Sequence, residues 1–272
     1  ELLAGFTASR RTQDNSVYKG TGFINDESGY NNMAAIANSR NYTASSYKYL
    51  KTTMSVLGRV NYNYRRRYYL TFTARADGAS NFSSNRKWGF FPAGAFRWSI
   101  SNEEFLRDAY WLNDLSLRVS AGRSGNDAIS SYLSMATVQT DRSSWLFGDN
   151  QLMVTMPSRL ANPDLTWETT DSYNLGLNFS AWKSRVTIEA DAYYSKTSDL
   201  LLSVRNAQAT GYNTYFANMG STRNIGVELS LTTKNIMRGK FEWTSVFTIS
   251  HNSQKVLDSG AGDEVVPTVM NP

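Results

Sequence analysis

The feature that most restricts this chain is a period of two in its side chains, sustained over segment after segment. In "KTTMSVLGRVNYNY", Met54, Val56, Gly58, Val60, Tyr62 and Tyr64 fall on one face, and Ser55, Leu57, Arg59, Asn61 and Asn63 on the other. "YYLTFTARAD" repeats the pattern: Leu70, Phe72, Ala74 and Ala76 oppose Thr71, Thr73, Arg75 and Asp77. "LSLRVSAG", "SYNLGLNFSA", "RVTIEADAYY", "RNIGVELSLTT" and "FEWTSVFTIS" behave alike. With "ELLAGFTAS" and "GAFRWSIS", about nine strands are predicted, each with one apolar and one polar face. Aromatic residues at 13% and 18 glycines suit strands and turns.

Alternation alone is compatible with a soluble β-sandwich as well as a membrane barrel. Three features favour the barrel. The strands run to about 10 residues, near the ~9 to 11 that cross a bilayer obliquely. Connections alternate in length: short near residues 64–67, 100–113, 182–185 and 234–240, long over about 15–49, 78–88, 125–169 and 199–221. Apolar-face aromatics Tyr62, Tyr64, Tyr68, Trp98, Phe179, Phe241 and Trp243 gather beside the short turns, as an interfacial girdle would. No run approaches the ~18 apolar residues of a membrane helix, a test blind to membrane strands. In "SNEEFLRDAYWLN", Ser101 or Asn102 could cap a short helix, and a packed turn is the simpler reading.

Charge and chemistry narrow the function. The net charge of +5 has one tight basic run, Arg65 to Arg67, with no nucleic-acid-binding motif beside it, so no nucleic-acid partner is expected. There is no Cys, which excludes disulfides and thiolate metal sites, and the single histidine, His251, is expected in the lumen or a loop. Glu189 and Asp191 share a face, but lumen lining explains them as well as an acid/base pair does. No catalytic residue, metal ligand or cofactor-binding residue is assigned, no cofactor is expected, and the chain is not expected to be an enzyme.

Six stretches, in this order, then carry a resemblance: "LGRVNYNYRRRYYLTFTARADGASNF", "KWGFFPAGAFRWSISNEEFL", "LSLRVSAGRSGN", "NPDLTWETTDSYNLGL", "DAYYSKTSDLLL" and "NMGSTRNIGVELSLTTKNI". Together they resemble the SusC/RagA family of TonB-dependent outer-membrane transporters of Bacteroidetes. The fold this implies is all-β: an antiparallel transmembrane β-barrel segment, about nine strands of a barrel of about 22. Residues 1–272 would all belong to that barrel, with the plug and the N-terminal domains outside them. The resemblance implies import of glycans or oligopeptides across the cell outer membrane. The partners it implies are a SusD-like surface lipoprotein, the TonB–ExbB–ExbD system acting through the N-terminal part, and outer-membrane lipid. A non-transporting adhesin or structural barrel is the alternative.

Within this frame the lumen-facing candidates are Arg59, Arg75, Asp77, Arg97, Arg118, Glu189, Asp191 and Glu228. Arg75 and Asp77 are expected to pair and fix a loop, with Trp88, Phe91 and Pro92 resuming the wall. The candidate outer-loop contacts to ligand or partner are Trp145, Phe147 and Trp167.

Overall fold

The computed structural model describes residues 1–24, 27, 31–32, 36, 42–141, 146–147, 150–151, 154–206, 210–212 and 214–260. Nine strands, each long and two-faced, form the main sheet: β1 (Leu2–Gly20), β2 (Tyr42–Tyr64), β3 (Tyr68–Ala79), β4 (Trp88–Ser99), β5 (Leu112–Asn126), β10 (Glu168–Ala181), β11 (Val186–Ser198), β14 (Ser221–Arg238) and β15 (Phe241–Asp258). Shorter strands occupy two of the long connections: β6 (Thr137–Asp141), β7 (Leu146–Phe147), β8 (Asn150–Gln151) and β9 (Val154–Arg159) in one, β12 (Leu201–Arg205) and β13 (Thr214–Asn218) in the other.

The main sheet is antiparallel throughout, in the order β1-β2-β3-β4-β5-β10-β11-β14-β15, and it is open. Strands β1 and β15 are its two edges and do not pair with each other. This corrects the expected transmembrane β-barrel segment: the domain is a mostly antiparallel sheet that is not closed into a barrel. The physical reason is that a period of two fixes which way side chains point, whereas closure depends on pairing between the first and last strands, which the period does not encode. Among the described residues no helix is long and apolar enough to cross a membrane.

Register places like residues in rows. One face carries the row Leu2, Val60, Phe72, Gly94, Ala121, Tyr173, Tyr194 and Ile225, and most of its large apolar side chains are exposed. The opposite face carries most of the charged residues, while Arg10, Asp14, Lys48, Lys196, Arg223 and Lys255 take apolar-face positions toward the end away from the tight turns. One long connection, expected over about 15–49, is shorter than the sequence suggests, because pairing carries β1 to Gly20 and β2 back to Tyr42. Two others hold a second sheet, β12-β13-β9-β6, which the sequence reading took for loop. Its strands of five or six residues are too brief to display a period.

All short turns lie at one end of the sheet and are tied to one another. Ser99 N donates to Arg67 O (2.7 Å), Asn102 Nδ2 to Arg66 O (2.7 Å), and Trp182 N to Trp111 O (2.6 Å). The segment after β4 forms two 3-10 turns, Ile100–Asn102 and Glu104–Leu106, and neither has a side-chain cap, so the packed turn prevails over a capped helix. At its centre Glu103 accepts from Tyr68 Oη (2.6 Å) and Trp98 Nε1 (2.9 Å) and pairs with Arg67 (3.2 Å). The Tyr68 and Trp98 hydrogen bonds hold the Glu103 carboxyl below the usual glutamate range, with Arg67 assisting. A depressed carboxyl pKa stabilises the fold above the unfolded-state value and ceases to do so as pH falls through the folded-state value. In the full-length protein, Glu103→Gln should therefore lower hydrogen-exchange protection of residues 65–67 and 100–106 at pH 7. Wild type and variant should converge below the ordinary carboxylate range. A gap that persists unchanged in acid would contradict this account.

At the other end a small core lies between the sheet and the second sheet's connections: Ala79, Phe82, Phe91, Leu165 and Trp167, with Ile129, Leu133, Leu201 and Phe216 against them. Phe91 lies opposite Arg75 and packs into this core on the polar side, while Trp88 and Phe90 are exposed on the apolar face. Phe91 therefore does not continue the wall with Trp88 and Pro92 as expected.

Candidate functional site

The polar face is the surface that can do chemistry, and ion pairs order it. One cross-strand row reads Asn63, Tyr69, Arg97, Arg118, Gly176, Asp191, Glu228 and Ser250. Like charges placed directly opposite repel. Here Arg97 faces Arg118 and Asp191 faces Glu228. Cross-pairing relieves both contacts. Arg118 Nη2 reaches across β10 to both oxygens of Asp191 (3.1 and 2.9 Å), and Arg97 approaches Asp114 (3.6 Å) with its guanidinium over the Tyr69 ring. The bridge across β10 is possible because residue 176 has no side chain: a Cβ there would stand 2.6 Å from Asp191 Oδ1 and 2.7 Å from Arg118 Nη2.

The other lumen candidates share this face. Arg75 Nε donates to both oxygens of Asp77 (2.6 and 2.8 Å) and its Nη2 to Ser55 Oγ (3.1 Å). Arg59 Nε donates to Thr73 Oγ1 (3.2 Å). Glu189, Asp191 and Glu228 border one shallow hollow with Ser230, Thr248 and Ser250. The sequence reading missed Arg123, which is paired to Asp171 in the fork geometry of a guanidinium on a carboxylate (2.7 and 2.8 Å). Their direct opposition on β5 and β10 could have been found from the strand register.

The loop candidates separate. Trp167 is 8% exposed, packed against Phe82 and Phe91, with Nε1 donating to Lys87 O (3.0 Å). It builds the core and presents no surface to a ligand, which corrects its expected role. Trp145 lies outside the described residues, and Phe147 is placed only by its backbone in β7. Three asparagines do work that the sequence did not announce. Asn81 is fully buried, its Nδ2 donating to the carbonyls of Asp127 (3.1 Å) and Ile129 (3.0 Å). Asn162 Nδ2 donates to Phe216 O (2.7 Å). Asn218 accepts from Thr166 N and donates to Thr166 O (both 2.8 Å) and Asp199 O (3.0 Å), so its side-chain amide stands in for a strand's backbone. The only hint was position: Asn162 and Asn218 open two of the six family-like stretches.

His251 is not in the lumen or a loop as expected. It sits within β15 opposite Val227, in an apolar-face row. Among the described residues no group of three or more His, Cys, Asp or Glu is placed to hold a metal ion.

The sheet thus presents one bare apolar face and one ion-paired face, with tight turns at one end and folded connections at the other. The family described as TonB dependent receptor-like, beta-barrel, matches residues 1–267, and the chain belongs to this family, within its SusC/RagA group. It is 40% identical to TonB-dependent receptor P26 of Formosa agariphila over 89% of this chain and 24% of that protein. To TonB-dependent receptor SusC of Bacteroides thetaiotaomicron it is 37% identical, over 80% of this chain and 22% of the relative. Among solved structures, that of the RagAB peptide transporter superposes with a TM-score of 0.81 at 26% identity, covering 98% of this chain and 29% of the other. The chain thus spans about a quarter of the length of these relatives. Membership places it in the outer membrane, in a family of transporters rather than enzymes.

Proposed function

We propose that these 272 residues are one part of an outer-membrane transporter that imports glycans or oligopeptides, with its plug and N-terminal domains outside them. The observation that carries this reading is likeness to SusC over 80% of the chain and to the RagAB peptide transporter over 98% of it. In the complete protein a SusD-like lipoprotein seats over the connections at the β6–β9 end, and TonB–ExbB–ExbD supplies the energy. The polar face borders the cargo's path. Arg59, Arg75, Asp77, Arg97, Arg118, Glu189, Asp191 and Glu228 hold it hydrated and charged.

The connection between β6 and β9, which contains Trp145 and Phe147, is the segment assigned to cargo or partner. Asp141 and Val154 are direct partners across that hairpin, so residues 142–153 can be replaced by Asn-Gly, a two-residue hairpin turn. In the full-length protein this replacement should leave outer-membrane assembly intact and lower either uptake of labelled oligosaccharide or oligopeptide, or capture of the SusD-like protein, at least several-fold. Normal uptake together with normal capture by a correctly assembled variant would refute the assignment.

A further inference from the structure

The polar face is sorted by sign. Within the strands, the cations Arg11, Lys51, Arg59, Arg75, Arg97 and Arg118 lie on β1 to β5, whereas the carboxylates Glu168, Glu189, Asp191 and Glu228 lie on β10, β11 and β14. Asp77 and Asp114 stand among the cations and are taken by Arg75 and Arg97. Lys234, at the turn end of β14, is the exception on the other side. Pairing removes part of each set, since Arg118 holds Asp191 and Asp127 holds Lys51. What survives keeps the segregation. Among the described residues, no carboxylate is in ion-pair range of Arg59, and no cation is in range of Glu189 or Glu228. Glu1, nearby on the same face as Arg59, accepts from Asn61 Nδ2 instead (3.3 Å). Arg59, Glu189 and Glu228 are all exposed.

Between the two sets lies a shallow trough of about 370 Å³, floored by the small side chains of Ala93, Ala95, Ser120, Gly122 and Ser172. Its volume falls within the ~300 to 1,000 Å³ of ligand sites. It begins at Thr73, whose hydroxyl accepts from Arg59 Nε, and ends on β10, beside the strand that carries Glu189. Six strand spacings separate Arg59 on β2 from Glu228 on β14, about 29 Å along the sheet. An extended peptide advances about 3.3 to 3.6 Å per residue, so roughly eight residues match that span.

We infer that this face selects an oligopeptide with free termini, lying across the strands with its carboxylate toward Arg59 and its ammonium toward Glu189 and Glu228. Charges placed in this way set orientation and reject mismatched ligands more than they add affinity. A neutral oligosaccharide would leave both flanks unanswered, and a uniformly charged one would be repelled from one of them. Resting on the reading that this face borders the cargo's path, the assignment narrows glycans or oligopeptides to the latter and gives the cargo a direction.

The test uses the full-length protein in detergent and a pool of random octapeptides lacking Asp, Glu, Lys, Arg and His, prepared with free ends, N-acetylated, C-amidated or capped at both ends. Peptide retained at low salt is quantified by mass spectrometry. The wild type should retain the free-ended pool at least fivefold over the doubly capped one. The variant Glu189→Gln, Glu228→Gln should lose the preference for a free amino end and keep that for a free carboxylate, and Arg59→Gln should do the reverse. A misfolded protein would lose both preferences together. If the double variant fails to fold, Glu228→Gln alone should lower the amino-end preference at least twofold. Equal retention of the four pools by the wild type, or variants that move both preferences together or neither, would overturn the inference. Retention of a neutral oligosaccharide mixture with no peptide retained would overturn it and leave glycan import standing. Retention of neither would count against import itself, and against the peptide assignment with it.

Discussion

Trp167→Ala in the full-length protein should open the connections over residues 127–167 and 199–220 to protease while the main sheet stays paired. The ring lies 5.2 Å from Phe82 and 5.4 Å from Phe91, centroid to centroid, within the only cluster of buried apolar residues found among the described residues. Truncating a buried tryptophan costs about 3 to 5 kcal/mol. The Lys87 carbonyl also loses its donor, adding about 1 to 3 kcal/mol if water cannot replace it. A core of five buried side chains with four partly buried neighbours has little to spare. Trp182→Ala is the control, since that ring is 53% exposed and belongs to a turn at the opposite end. Equal protease resistance in the two variants would show that Trp167 does not hold the connections down.

Gly176→Ala should destabilise the sheet, and the sign itself is informative. A mid-strand glycine replaced by alanine ordinarily gains about 0.5 to 1 kcal/mol, because the unfolded chain loses freedom. Here the added methyl would collide with both members of the Arg118–Asp191 pair, which must part or move. Losing charge-assisted hydrogen bonds costs about 1.5 to 3 kcal/mol when well buried. Arg118 is 39% and Asp191 25% exposed on their side chains, so a net loss of about 1 kcal/mol is the expectation. A double-mutant cycle isolates the cause: in an Arg118→Met, Asp191→Leu background, Gly176→Ala should lose most of its penalty. A methyl that stabilises the wild type would remove glycine's role in the bridge.

Much of the sheet was legible because its determinants are local. Met54, Val56 and Val60 against Ser55, Arg59 and Asn61 state their face in the sequence, and the register obeys it. The lumen candidates were found the same way, as polar residues in alternating positions, and they do share a face. What the period could not express was anything that depends on distant partners. Arg118 meets Asp191 across an intervening strand, and Arg123 meets Asp171 only once β5 and β10 align. The short β6, β9, β12 and β13 carry too few residues for alternation to rise above composition. Trp167 misled for a related reason: an aromatic in a long connection reads alike whether it greets a ligand or anchors the loop, and Phe82 and Phe91 decide between the two. The expected transmembrane barrel segment is instead an open antiparallel sheet, because what pairs at its edges is something no single strand encodes.

Asn218 bears on how the molecule would yield under load. The β10–β11 ladder runs unbroken from Thr169↔Ser198 to Ala181↔Val186, so a pull along the strands is shared by every rung at once, as in a bond stressed in shear. The connection between β9 and β10 is held differently: Asn218 clamps Thr166, and Asn162 holds Phe216, each through a single side-chain amide. Such clamps meet a force one after another, like the teeth of a zipper. Tension reaching the sheet through its connections would therefore peel them away at low force and leave the ladder standing, which makes the loop end a mechanical fuse for the rest of the fold.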